Sequence, residues 1–179
     1  MDNELWHFVA FSAGTGGSML IIGSAAGVAA TVTVNALPTA TISGTTTVCQ
    51  NAANPTITFT GANGAEPYTF TYTINGGANQ TSTTTTGNSV SISAPTATVG
   101  VFTYDLVSVA SAGLTSCSQL QSGSAVVTVE ALPTATISGT TTICAGLTAT
   151  IAFNGTANAT VTYTVNGGAN QTIVLDGSG

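Results

Sequence analysis

Few residues of this chain could do acid–base or nucleophilic chemistry, and they are widely spaced. The 179 residues include one histidine, His7, which follows Trp6. A lone histidine in an apolar segment is more typical of a packed or terminal side chain than of a catalytic base. The acidic residues are too scattered for a paired-carboxylate site; they are Asp2, Glu4, Glu66, Asp105, Glu130 and Asp176. We therefore expect no catalytic site and no enzyme activity.

Metal and cofactor sites have little support in the sequence. Glu66, Asp105 and Glu130 could meet at domain junctions and hold calcium. Calcium takes six or more oxygen ligands, so isolated solvated carboxylates are the simpler interpretation. The segment GTGGS at 14–18 lacks the lysine of a phosphate-binding loop and follows no predicted strand. The sequence therefore predicts no metal ion and no cofactor.

The charge balance excludes one class of partner. The chain has no Lys or Arg and a net charge of -6, whereas phosphate binding depends on those two residue types. We expect no nucleic-acid binding. Only 3% of the residues are charged, so solubility must come from Thr, Ser, Asn and Gln. Such a Thr-rich, uncharged composition is typical of secreted material, and we expect an extracellular, cell-surface location.

The chain is an internal repeat. ALPTATISGTTTVC, which begins at Ala36, returns as ALPTATISGTTTIC from Ala131, so the period is 95 residues. TYTINGGANQT from Thr71 returns as TYTVNGGANQT from Thr162, at an offset of 91. Repetition at this length indicates domain-sized modules in tandem. We predict a complete module at 36–130 and a truncated one at 131–179.

Alternating β-branched and aromatic residues predict an all-β chain of immunoglobulin-like sandwich modules. The strands predicted in the first module are Thr39–Ile42, Thr56–Thr60, Tyr68–Ile74, Thr81–Thr85, Ser89–Ser93, Val101–Val109 and Ala125–Val129. Those predicted in the second are Thr134–Ile137, Thr148–Phe153, Thr160–Val165 and Gln171–Leu175. The predicted core is Ile42, Ile57, Phe59, Phe70, Tyr72, Ile74, Val90, Ile92, Phe102, Tyr104, Leu106, Val107, Val127 and Val129. Since Leu106 and Val107 are adjacent, both cannot face inward in a flat strand.

The three cysteines follow the repeat. Cys49 and Cys117 lie in the first module, and Cys144 is the counterpart of Cys49. One disulfide per module, Cys49–Cys117, is expected in an oxidising compartment, with Cys144 left unpaired because its counterpart partner would fall beyond residue 179. Buried unpaired cysteines are the alternative. With a single histidine and no CxxC, the spacing does not favour a zinc or redox site.

Residues 1–26 form an apolar arm that differs from the repeats. The stretch 5–30 is uncharged and long enough to span a bilayer, whereas Asp2 and Glu4 stand where a signal peptide carries basic residues. FVAFSAGTGGSMLIIGSAAGVAA resembles a membrane segment of NhaD-type sodium/proton antiporters. We interpret it as a fusion, a sequence-assembly artefact or an apolar arm with another use.

The repeats resemble a second family. PTATISGTTTVCQNAANPTITFTGANG, PYTFTYTINGGANQT and FTYDLVSVASAGLTSCSQ are similar to PKD-like, immunoglobulin-fold repeats of very large Bacteroidetes cell-surface and gliding-associated adhesins. The resemblance covers about residues 27–179. It implies secretion, a tandem β-sandwich rod, and an adhesive or spacer role, with any surface or glycan ligand unidentified.

The truncated module predicts a mode of self-association. Phe153 and Tyr163 would lie uncovered there, and an open sheet edge invites another strand. The segment 27–35, with Val28, Val32 and Val34, resembles the last strand of a preceding repeat and could donate that strand to another copy. The alternative is a membrane-anchored fragment that contacts the bilayer through residues 5–30.

Overall fold

A computed structural model describes residues 18–22, 29–33, 35–112 and 116–179. Within this part of the chain every regular element is a strand, so the predicted all-β class is confirmed. The strands are β1 (Ser18–Ile22), β2 (Ala29–Thr33), β3 (Thr39–Ser43), β4 (Thr46–Cys49), β5 (Thr56–Ala62), β6 (Tyr68–Ile74), β7 (Gln80–Thr83), β8 (Ser89–Ser93), β9 (Gly100–Ser111), β10 (Cys117–Leu120), β11 (Ser124–Glu130), β12 (Ala135–Ser138), β13 (Ala152–Gly155), β14 (Thr160–Tyr163) and β15 (Gln171–Val174). Two compact units result, Met1–Glu130 and Ala131–Gly179, here termed the first and second units.

The first unit contains a β-sandwich. One sheet has the strand order β3-β5-β8, and the other has the order β4-β11-β9-β6-β7. Strand β10 pairs with the end of β9 that β11 leaves open. The described pairs are antiparallel except β4 with β11, which run parallel. Phe59 from one sheet meets Phe70 and Tyr72 from the other, with ring centroids 5.6 and 5.0 Å apart.

The core of the sandwich contains most of the predicted inward residues, since strand alternation directs every second side chain inward. Its buried members are Ile57, Phe59, Tyr68, Phe70, Tyr72, Ala94, Tyr104, Leu106, Val109, Ala125, Val127 and Val129. Ile42, Ile74, Val90, Ile92 and Phe102 are partly buried against them. The prediction was wrong at Val107, which is only half-buried, because Leu106 takes the inward position beside it.

Two strands of the sandwich were not predicted. Strand β4, Thr46–Cys49, has only four residues and pairs with β11, which lies some 80 residues further along the chain. Strand β10, Cys117–Leu120, is polar and shows no apolar alternation. By contrast, β6 and β8 have the bounds that the sequence predicts.

A separate hairpin precedes the sandwich in sequence. Strands β1 and β2 pair antiparallel, with Met19 opposite Val32. Val32 therefore lies in a strand, as predicted, whereas Val28 and Val34 lie outside the described residues. None of the described segments forms a helix with the length and hydropathy needed to cross a bilayer.

The second unit consists of two antiparallel hairpins, β12–β13 and β14–β15. Residues 141–144 lie between β12 and β13 and have no strand assignment. The predicted strands of this unit are present with different bounds: the first two are shifted towards the C-terminus, and the last two end earlier than the sequence suggests.

Candidate interaction site

The second unit reproduces half of the sandwich residue by residue. In the first unit Ile42 lies opposite Phe59 in the β3–β5 pair. In the second, Ile137 lies opposite Phe153 in the β12–β13 pair. Strands β12 and β13 are therefore the counterparts of β3 and β5.

The other hairpin of the second unit also matches a hairpin of the first in its residue pairs and hydrogen bonds. Tyr72 lies opposite Gln80 and its hydroxyl donates to the Gln80 Oε1 at 3.3 Å. Tyr163 lies opposite Gln171 and donates to its Oε1 at 3.0 Å. The hairpin β14–β15 is thus the counterpart of β6–β7, at the offset of 91 that the sequence shows.

The turns that follow β6 and β14 are also the same. Asn75 has a φ of 51° and Asn166 a φ of 52°. The Gly77 N–H donates to the Ile74 carbonyl at 3.0 Å, and the Gly168 N–H donates to its counterpart carbonyl at 2.9 Å. Asn tolerates this left-handed conformation better than most residues with a Cβ atom.

Burial is what differs between the two copies. Ile57 is 0% exposed, whereas Ile151, its counterpart beside the equivalent glycine, is 50% exposed. Phe59 is fully buried, whereas Phe153 is only half-buried. We use the name uncovered face for the apolar side chains of the second unit whose counterparts lie in or against the core of the first; they are Ile137, Ile151, Phe153, Val161, Tyr163 and Val165.

The strands that cover the equivalent side chains in the first unit have no counterparts in the second. In the first unit, β8 pairs with the free edge of β5, and β9 pairs with the free edge of β6. The structure describes no such neighbour for β13 or for β14. Fully burying one large aliphatic or aromatic side chain contributes about 1.5–3 kcal/mol. The uncovered face and these two edges therefore form a candidate site for added strands.

Residues 141–144 support this assignment. Their sequence TTIC differs from TTVC of β4 at one position, yet β4 is a strand and 141–144 are not. The difference is the partner, because β4 is held by parallel pairing with β11. The near-identity of the two segments is a sequence signal for a third edge, at residues 141–144, that could accept a strand.

The expected Cys49–Cys117 disulfide is not present. Cys49 lies opposite Glu130, next to the Gly100 end of β9, whereas Cys117 lies opposite Ser111 at its other end. A strand rises about 3.3 Å per residue, so the two ends are on the order of 30 Å apart. A disulfide requires Cα atoms within about 7 Å. Cys144 is an exposed thiol.

The acidic residues in the described part of the chain do not converge. The Glu66 carboxylate accepts a hydrogen bond from the Gly87 N–H at 3.1 Å, near the Ser111 end of β9. Glu130 lies at the opposite end of the sheet. The described residues contain no cluster of His, Cys, Asp and Glu that could hold a metal ion.

One open depression lies at the Ser111 end of the sandwich. Small apolar and hydroxyl side chains line it, with no carboxylate, imidazole or thiol among the described lining residues; these are Pro67, Thr69, Ala110, Ser111, Ala112 and Ser116. Such a lining offers no acid–base pair for catalysis.

Three ionisable groups among the described residues have shifted pKa values. Burial raises the pKa of Tyr72, and burial followed by the neighbouring Tyr72 raises the pKa of Tyr104. Hydrogen bonds from the Ser178 hydroxyl, then from the Ser178 and Gly179 N–H groups, lower the pKa of Asp176. Each shift follows from packing or a local turn, and these groups do not form a common site.

No protein-family model matches the chain. A sodium/proton antiporter of Arabidopsis thaliana is 75% identical to it over 28 residues. That match covers 16% of this chain and 5% of the antiporter. It is too short to assign the chain to a family.

Proposed function

We propose that this chain is a structural repeat protein of the bacterial cell surface, whose β-sandwich units build an extracellular stalk or fibre with an adhesive or spacer role. The observation that carries the proposal is the second unit, which repeats half of a sandwich and exposes the side chains that the first unit buries. A surface of this kind is suited to binding strands, and no group of reactive side chains competes with that role among the described residues.

The composition supports an extracellular role. The chain carries no Lys or Arg and is rich in Thr, and its repeats resemble PKD-like modules of Bacteroidetes adhesins. Hydroxyl pairs across strands replace ion pairs on the sheet surface. Thr58 and Ser91 approach to 2.8 Å, and Thr69 and Thr83 to 2.9 Å. Such pairs stabilise neighbouring strands without charge.

Head-to-tail joining gives the stalk or fibre its length. A segment from about residue 8 to residue 34 of one copy would fill the gap in the second unit of the next. An unpaired strand edge presents N–H and C=O groups that another strand can satisfy. Because donor and acceptor surfaces differ, this contact is heterologous and extends into a filament unless it closes into a ring.

Sedimentation velocity over a range of concentrations tests the proposal. We expect the full chain to form concentration-dependent oligomers and Ile151→Thr to weaken them, since Ile151 belongs to the uncovered face. Leu120→Thr is the matched control, because Leu120 is 79% exposed on β10 of the first unit and lies outside that face. Deletion of residues 1–35 should leave monomers. Oligomers that persist unchanged in both Ile151→Thr and the deletion would contradict head-to-tail joining.

A second candidate function is a membrane-anchored fragment with an antiporter-derived segment at residues 5–30. The uncharged stretch 5–30, which is long enough to span a bilayer, motivates it. Fractionation without detergent separates the two candidates, since the anchored fragment would sediment with membranes. Recovery of the whole chain in the supernatant would exclude anchoring.

A further inference from the structure

Strand β2 is the repeat counterpart of β11. At the repeat offset of 95 residues, Val32 and Thr33 correspond to Val127 and Thr128. The same three letters, ALP, follow both strands and open the next copy of the repeat. Strand β11 ends the first unit directly before the second, so β2 has the position of a last strand that precedes the sandwich of the first unit.

The partner of β2 occupies the position of β9. Strand β1 pairs antiparallel with β2, as β9 pairs with β11. Val32 lies opposite Met19, and its counterpart Val127 lies opposite Phe102. The other four pairs of the β1–β2 hairpin map onto β9–β11 in the same register.

This correspondence places apolar residue types at register positions whose counterparts in the sandwich lie in or against its core. Ala30 lies opposite Ile21, and the equivalent pair in the sandwich is Ala125 opposite Tyr104, both buried. Directly opposed residues of an antiparallel pair share a face of the sheet. The register positions equivalent to Phe102 and Tyr104 are therefore held by Met19 and Ile21.

The second unit lacks these two strands. The large sheet of the first unit has the order β4-β11-β9-β6-β7. The second unit contains the counterpart of β4 at 141–144 and the counterparts of β6 and β7 as β14 and β15. The two positions between them, those of β11 and β9, have no occupant among the described residues.

We propose that the β1–β2 hairpin of one copy enters the second unit of another copy, with β2 parallel to residues 141–144 and β1 beside residues 164 and 165, which directly follow β14 and are the counterparts of Thr73 and Ile74. The inference rests on the proposed function and specifies the donor, the acceptor and their register. The resulting junction between two copies repeats the tandem order within one chain, in which β11 is followed by ALP and the next unit.

The register makes one residue pair diagnostic. Cys49 lies opposite Glu130 in the β4–β11 pair. Their counterparts at an offset of 95 are Cys144 and Asn35, so Asn35 of the donor lies opposite Cys144 of the acceptor. Neighbouring strands are about 4.8 Å apart, which is within reach of a disulfide. Thr31 is four residues further along β2, about 13 Å away.

Cross-linking between two distinguishable chains tests this register. The acceptor retains Cys144 and carries Cys49→Ser and Cys117→Ser. The donor carries those changes with Cys144→Ser and Asn35→Cys, and a tag gives it a different mass. The matched control donor carries Thr31→Cys in place of Asn35→Cys. Circular dichroism of each variant checks that the strand content is unchanged, and a non-reducing gel after mild oxidation reports mixed dimers.

We expect mixed dimers to form at least about tenfold faster with the Asn35→Cys donor than with the Thr31→Cys donor, because only the first is within disulfide distance. Equal rates, or no mixed dimer in samples that sedimentation shows to be oligomeric, would overturn the hairpin register and leave head-to-tail association intact. Samples that stay monomeric at all concentrations would overturn both proposals.

Discussion

Phe153 and Tyr163 lie with ring centroids 4.9 Å apart, the same relationship that their counterparts Phe59 and Tyr72 have at 5.0 Å. In the first unit this pair is sealed between two sheets, and in the second it is only half-covered. The repeat therefore sets the local pairing of the hairpins, and burial depends on strands that lie elsewhere in sequence.

Replacing the two phenylalanines should separate these contributions. Phe59→Ala should lower the free energy of unfolding of the first unit by about 3–5 kcal/mol, because it leaves a cavity in a fully buried site. Phe153→Ala should have a smaller effect in monomeric samples, since Phe153 is half-exposed there. Urea denaturation followed by circular dichroism measures both. Equal decreases in the free energy of unfolding for the two variants would mean that Phe153 is already buried in the monomer.

Gly44 is a position where a side chain should not be tolerated. Its φ is 119°, and an added Cβ would meet the Thr56 carbonyl oxygen. Gly44→Ala should cost on the order of 1–3 kcal/mol of stability through backbone strain and this contact. Gly76→Asn is the control, because Gly76 has a φ of 67° with nothing within 4 Å of an added Cβ. A melting temperature that Gly44→Ala leaves unchanged would contradict the packing of β3 against β5.

Oxidation of the cysteines should not change the thermal stability of the first unit. Because Cys49 and Cys117 lie at opposite ends of the large sheet, oxidising and reducing buffers should give the same melting temperature. Calorimetry of the wild-type chain and of Cys49→Ser makes the comparison. A melting temperature that falls both in reducing buffer and in the Cys49→Ser variant would show that a Cys49–Cys117 disulfide forms and stabilises the first unit.

The last residues of the second unit should respond to acid. Asp176 Oδ1 accepts hydrogen bonds from the Ser178 hydroxyl at 2.6 Å and from the Ser178 N–H at 2.8 Å, and its pKa is lowered. The stabilisation is present above the ordinary value of 3.8 and is lost as the pH falls through the lowered folded-state pKa. Carboxyl NMR titration of the wild type and of Ser178→Ala measures the shift. Ser178→Ala should raise the pKa towards the ordinary value, and an unchanged pKa would contradict the assigned cause.

The sequence predicted the elements whose residues carry their own pattern. Tyr68–Ile74 and Ser89–Ser93 alternate cleanly and have the predicted bounds. Strand β4 depends on a partner that is distant in sequence, and the near-identical residues 141–144 form no strand without one. Local propensity could not distinguish these two segments, because tertiary pairing decides between them.

The candidate site was predicted only in part. The repeat offset predicts that Phe153 and Tyr163 lack cover, and half-burial of both agrees with this. The cysteine pairing was wrong because spacing along the chain does not reveal which end of a sheet each residue occupies. The repeat in the sequence already indicated that β2 is the counterpart of β11, whereas the correspondence of β1 to β9 required the pairing register, which the sequence does not contain.

Amide hydrogen exchange at Ile143 tests most directly whether the second unit is completed by added strands. On an edge strand only alternate N–H groups face the neighbouring strand. The Gln50 N–H donates to the Glu130 carbonyl, so the N–H of Val48, two residues earlier, also faces β11. At low concentration the Ile143 amide should exchange freely, while that of its counterpart Val48 remains protected. As oligomers form, protection at Ile143 should rise towards that of Val48, because both segments would then pair with a parallel strand. Free exchange at Ile143 in fully assembled samples would contradict the account.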